Sequence, residues 1–225
     1  MMSLRRNALV RIVPFAVFMA LLALRGAVQS NGTAGIDQRW LYGLTVVLVG
    51  GLLLQWRREY GELAGQNRPE PRELAWSVLV GLIVFALWIH LDAPAFRIGR
   101  DTASFRPVDA QGTLDWPLIV VRWIGAALLV PVMEELFWRS FLMRWIERSQ
   151  FETVDPRRVG LRAIVLSTFV FMLAHTLWLA AILAGLAYAW LYVKSGKLWL
   201  PVIAHAVTNG ALGIWVVATG NWTFW

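Results

Sequence analysis

Long apolar stretches separated by short clusters of charge run the whole length of the chain. About 20 uncharged residues cross a bilayer as a helix, because about 30 Å of hydrocarbon is covered at about 1.5 Å per residue. Ile12–Leu24, between Arg11 and Arg25 and extendable to Val28, predicts a first span. Arg5 and Arg6 before it look like the start of a signal peptide, but no small-x-small cleavage pattern follows, so the span reads as uncleaved. Trp40–Trp56, with an interfacial Trp at each end, predicts a second span, and Leu74–Leu91 a third. Pro117–Trp145 is a fourth, and it carries Arg122, Glu134, Glu135 and Arg139.

Ala163–Val193 runs 31 residues without a charge. As one helix it would measure about 46 Å, too long for one ordinary span. Arg157, Arg158 and Arg162 precede it and Lys194 and Lys197 follow, which predicts two short spans with a break near Thr176–Leu179. Leu198–Val217 is the last span. The expected fold is therefore all-α, a polytopic transmembrane helical bundle of about seven spans. Residues 1–116 hold three N-terminal spans and an external loop (Asp92–Trp116), and residues 117–225 a core of about four spans.

Composition agrees with this pattern. Hydrophobic residues make up 58% of the chain and charged residues 16%, against about 25% charged in an ordinary soluble domain. Disorder, collagen-like repeats and a soluble nucleic-acid binder are excluded. With no cysteine, disulfides, thiolate catalysis and Cys-ligated zinc are excluded too. The net charge of +7 reads as topology, with no nucleic-acid partner. With the N-terminus inside, Arg5, Arg6, Arg11, Arg57, Arg58, Arg68, Arg72, Arg144, Arg148, Arg157, Arg158, Arg162, Lys194 and Lys197 face the cytoplasm. Only Arg25, Arg39, Arg97, Arg100 and Arg106 face outward.

Ionisable groups inside a membrane are costly and are functional candidates by default. Here they are Glu134, Glu135, Arg139, His175, His205 and Arg122, joined by Asn209. Glu135 and Arg139 are four residues apart and can pair along one helix face. His205 and Asn209 share the same spacing, and Phe171 lies four residues before His175. Counted from the nearest cytoplasmic cation, Glu134, His175 and His205 lie at depths of about 15, 20 and 12 Å, one slab of the membrane. Two imidazoles, a carboxylate and an amide at one depth suit hydrolysis. A partly desolvated Glu is a better base for water, His shares that role or binds metal, and an Asn amide stabilises an oxyanion. Two His and one Glu are also a familiar catalytic zinc set. Both a metal-free site and Zn2+ held by His175, His205 and Glu134 therefore stay open.

Glu134-Glu135-Leu136-Phe137-Trp138-Arg139 resembles the EExxxR motif of the CPBP (ABI) family of intramembrane proteases, which includes the type II CAAX prenyl endopeptidases and bacteriocin self-immunity proteins. Phe171–His175 resembles that family's FxxxH motif and His205–Asn209 its HxxxN motif, in the family's order. The resemblance covers roughly Leu118–Leu212. The short chain and simple loops also resemble the CAAX-protease-related subgroup found beside bacterial exosortase systems. The resemblance implies a CAAX-type endopeptidase, glutamate- or metal-dependent, in a bacterial inner membrane. Its partners are the lipid bilayer and a protein or peptide substrate. Glu134 would activate water with His175, and His205 and Asn209 would bind water or stabilise the oxyanion. Glu135, Arg139 and Phe171 would shape the site.

Structural readings compete at each position. A Glu in a span is often a helix–helix hydrogen bond. Arg122 has no motif partner and reads as structural or snorkelling, and His90 as interfacial. Gly50-Gly51 and the region of Gly185 read as places of close helix approach. Two other functions use the same residue types: a transporter, and an immunity or scaffold protein that keeps the motifs without cleaving. The first would more often show repeated halves, and none is found.

Overall fold

The computed structural model describes residues 6–30, 37, 39–98, 105–109 and 111–225. Arg5 and Arg100, used above for topology, lie outside the described residues. Among the described residues seven helices follow one another: α1 Arg6–Ser30, α2 Trp40–Gln55, α3 Pro71–His90, α4 Trp116–Glu147, α5 Leu161–Leu173, α6 Trp178–Ser195 and α7 Trp199–Thr219. No strand occurs among the described residues. Five of the helices, α1, α3, α4, α6 and α7, are long and apolar enough to cross a membrane, while α2 and α5 are apolar but shorter. Large side chains such as Val47, Leu54, Leu161 and Ile214 are exposed on the outside of the bundle, as a lipid-facing surface requires.

Local chemistry sets the helix ends. Pro71 opens α3 behind a capping box, with Glu70 N donating to Glu73 Oε2 at 2.8 Å. Asp115 Oδ1 accepts from Leu118 N at the start of α4. The α6 end is fixed by Gly196 in the left-handed region, φ +73°.

The uncharged run at 163–193 does divide in two, but the break lies at 174–177, slightly before the expected Thr176–Leu179. The loop after α3 holds the break open. Ile98 N donates to Thr176 O at 2.8 Å, Arg97 bridges Leu177, and Trp178 Nε1 donates to Ala95 O at 3.0 Å. Helix-terminal backbone that lacks partners inside a membrane must find them elsewhere, and this loop supplies them.

Close helix contacts occur at other glycines than Gly50-Gly51. A Cβ on Gly51 would meet nothing and one on Gly50 only an ordinary contact, whereas at Gly81 it would lie 2.4 Å from Ala204 O and at Gly125 2.5 Å from Tyr42 Oη. Gly81 lets α3 and α7 touch backbone to backbone, and Gly125 admits α2 against α4. Gly185 is close as expected, 2.9 Å from Thr168 Cγ2 on α5.

Residues 56–70 close the bundle at the end where α1 begins. Glu62 pairs with Arg11 at 2.7 Å, Arg11 Nε donates to Ser140 Oγ at 3.1 Å, and Ser140 donates to Glu62. Tyr60 Oη donates to Val10 O, and Trp199 Nε1 to Leu63 O. Burial would raise the Glu62 carboxyl, but the Arg11 pair and the Ser140 hydroxyl outweigh it and hold it below its ordinary 4.5. The unfolded chain then binds the proton more tightly than the folded one. This stabilisation is complete above the ordinary value and lost as pH falls through the depressed folded value. Detergent-solubilised protein should hold its thermal midpoint at neutral pH and lose it on acidification below about pH 4.5. Glu62→Gln should start lower by on the order of 3 kcal/mol, because Arg11 is left buried and unpaired, and should show a shallower acid slope.

Candidate active site

Helix α4 carries two glutamates in adjacent positions, and their surroundings are opposite. Glu135 is fully buried. Its Oε1 accepts from Arg139 Nη1 at 3.0 Å and lies 2.9 Å from His205 Nδ1, so one oxygen serves both side chains. Arg139 is equally enclosed: its Nη2 donates to Gly185 O at 3.1 Å, and its guanidinium lies 4.9 Å from the Phe171 ring centroid. Glu134 meets no cation among the described residues. Its Oε2 accepts from Trp138 Nε1 one turn on, at 3.3 Å, and the Trp138 ring packs edge-on against Phe171.

Glu134, His175, His205 and Asn209 line one cavity of about 260 Å³. His175 sits in the break after α5, its ring tilted against Phe171 with centroids 4.3 Å apart and edge-on to Trp88. Its Nδ1 is 2.8 Å from Phe171 O. A carbonyl can only accept, so Nδ1 carries the proton and Nε2 keeps a lone pair in the neutral ring. The same logic applies to His205, whose Nδ1 faces the Glu135 carboxylate. Its ring is stacked on Tyr188 at 5.0 Å, and Tyr188 Oη donates to Thr208 Oγ1, which is anchored 2.9 Å from Gly81 O.

Asn209 is placed by a defect in α4. Residues Gly125–Leu129 form a π-turn, with Val130 N donating to Gly125 O five residues back. The next acceptor, Ala126 O, would be served by residue 131, and Pro131 has no N–H. Asn209 Nδ2 takes that carbonyl at 2.9 Å. One amide proton is thereby fixed and the other remains for the cavity.

Spacing within the motifs does not identify Trp138, Tyr188, Thr208 or Pro131. Trp138 and Pro131 leave local signals, a donor four residues after Glu134 and a proline inside a span. Tyr188 and Thr208 leave none, because their roles depend on how α6 and α7 meet. Arg122, expected to be structural, also lines the cavity, with its guanidinium 4.4 Å from the Tyr42 ring centroid. His90 stays outside the cavity, exposed at the end of α3.

A bare Nε2 backed by Nδ1–H is also the form of imidazole that binds metal. Among the described residues, however, no three His, Asp or Glu side chains stand close enough to hold an ion.

Compared with protein families, residues 116–211 match the model described as type II CAAX prenyl endopeptidase Rce1-like. That segment runs from the start of α4 into α7 and contains all three motifs. No curated protein and no solved structure matches the chain.

The different surroundings of the two glutamates predict different stability effects. Arg139→Ala strands the buried Glu135 carboxylate and should lower unfolding stability by about 3–5 kcal/mol, read as a large fall in thermal midpoint. Glu134→Gln keeps an acceptor for Trp138 and should leave the midpoint nearly unchanged. Pro131→Ala offers Ala126 O a backbone donor, and should release Asn209 with little loss of stability.

Proposed function

We propose, from the match of residues 116–211 to the Rce1-like model of type II CAAX prenyl endopeptidases, that the protein is an intramembrane endopeptidase with Glu134 as its general base. The observation that carries this reading is the shared cavity: a buried carboxylate without a cation, two imidazoles and an amide converge there, while the adjacent Glu135 is consumed in holding the structure.

A water between Glu134 and the His175 lone pair gives its proton to Glu134 as its oxygen attacks the peptide carbonyl. The developing oxyanion faces the remaining amide proton of Asn209, while the hydroxyl left from the water donates to the bare Nε2 of His205, whose Nδ1–H is held by Glu135. Collapse breaks the C–N bond, and Glu134 returns the proton to the leaving nitrogen. No step is routed through a metal, since the described side chains do not assemble a ligand set. The cation asymmetry supports a cytoplasmic N-terminus, with the scissile segment entering from the cytoplasmic half of the membrane.

The test compares peptides in the membrane and medium of cells producing wild-type protein or Glu134→Gln. Specific cleavage products should appear with wild type and fall by about 10²–10⁴-fold with the variant, the range expected for a lost general base. His205→Gln should behave similarly, and a chelator should leave cleavage intact. Undiminished products with Glu134→Gln would contradict the reading and favour a non-proteolytic immunity or scaffold role. Loss of cleavage with chelator alone would overturn the metal-free step.

A further inference from the structure

A second cavity, a groove of about 590 Å³, opens on the outer face of the bundle between α5 and α6, and its size is that of a ligand pocket. Its floor is apolar, formed by Ile164 of α5 and by Leu186, Trp190 and Val193 of α6, and Arg157 and Lys194 complete it. Leu186, Trp190 and Lys194 are spaced by four residues and so follow one face of α6. Along the helix that face runs about 12 Å, apolar at its deep end and cationic where α6 stops. Arg157 reaches the same end from the turn before α5. Its Nη2 donates to Ser195 O at 2.8 Å, and its guanidinium lies over Gly196, where a Cβ would stand 3.1 Å from Nε.

Both cations are exposed and keep donors for a ligand. Among the described residues Lys194 makes no ion pair or hydrogen bond, and the Arg157 guanidinium bonds only Ser195 O. The neighbouring carboxylates are committed elsewhere: Glu73 to Lys197 at 2.7 Å, Asp155 to Arg157 N and Glu147 to Gly160 N. One turn below Lys194, the exposed Trp190 indole stands where such rings meet the membrane interface. A free phosphate would leave the apolar floor bare, and a neutral apolar chain would leave the cations unanswered. A phospholipid answers both. Choline or ethanolamine on the headgroup would bring an ammonium against Arg157 and Lys194, whereas a glycerol headgroup leaves the phosphate charge uncancelled. We infer that the groove binds an anionic phospholipid, its phosphate held by Arg157 and Lys194 and an acyl chain laid along Ile164, Leu186 and Trp190. The cation asymmetry points to the cytoplasmic leaflet. Seated there, the lipid ties α5 to α6 at the end opposite the break that holds His175. The inference stands apart from the endopeptidase reading.

The test titrates full-length protein in detergent with dioleoylphosphatidylglycerol or dioleoylphosphatidylcholine and counts bound lipid by native mass spectrometry. Wild type should bind the first about tenfold or more tightly, since each cation at an anionic headgroup contributes about fivefold. Lys194→Gln, which breaks no contact within the protein, should cut that preference about fivefold. Adding Arg157→Gln should abolish it and leave phosphatidylcholine binding unchanged. Trp190→Ala should weaken both lipids alike, and Arg58→Gln with Arg68→Gln, at the same end but away from the groove, should change nothing. Equal binding of the two lipids by wild type, or a preference that survives both groove substitutions, would overturn the proposal. So would an equal loss on removing Arg58 and Arg68, which would mean diffuse attraction to a basic surface. Displacement of the lipid by millimolar glycerol phosphate would assign the cations to a free phosphate instead. A lipid-free dimer that Trp190→Ala dissolves would give the face to a second copy of the chain, and either result would equally overturn it.

Discussion

A single carboxylate oxygen organises the centre of this protein. Glu135 Oε1 receives Arg139 from its own helix and His205 from α7, and Arg139 reaches on to Gly185 O of α6. Three helices are joined at one point inside a hydrophobic bundle. The buried charges are balanced only while all members are in place, so the arrangement tolerates little rotation of α7 against α4. The consequence for chemistry is orientation. Because Glu135 fixes the proton on His205 Nδ1, the other nitrogen is a lone pair, and the stack on Tyr188 sets the plane of the ring.

Around this point the backbone departs from regular helix wherever a functional side chain needs a partner. The π-turn ahead of Pro131 leaves a carbonyl for Asn209. A second π-turn, over Leu136–Met143, follows the two glutamates. The break between α5 and α6 ends a helix inside the apolar run, and its backbone groups are taken up by the loop at Ala95–Ile98. π-turns and interrupted helices are tolerated at membrane depth where protein supplies the missing hydrogen bonds. In this bundle both flank the cavity.

Much of this was legible in the residue pattern. Seven apolar segments predicted seven helices, and the length of 163–193 against the bilayer predicted the division within it. The i,i+4 spacing of Glu135–Arg139 predicted their pair. Spacing also brought His205 and Asn209 to one face, though not their partners, which lie on α4 and were set by Pro131 and by which glutamate faces α7. The contact at Gly50-Gly51 was misjudged, while that at Gly185 was not, because adjacency in sequence says nothing about which helix face meets a neighbour. Gly81 and Gly125 look unremarkable until α7 and α2 are packed against them. The isolation of Arg122 in sequence gives no sign of its place in the cavity wall.

The account depends most on the claim that a carboxylate on one side of His205 and a carbonyl behind His175 leave both imidazoles presenting a bare nitrogen to Glu134. Nitrogen NMR of histidine-labelled protein in bilayers, on a His90→Gln background so that only these two rings contribute, reads the proton positions directly. The account predicts that both rings are neutral, with protonated Nδ1 and unprotonated Nε2, and that Glu135→Gln disturbs the His205 signal alone. Protonated Nε2 on either ring, or a His205 signal indifferent to Glu135, would contradict it.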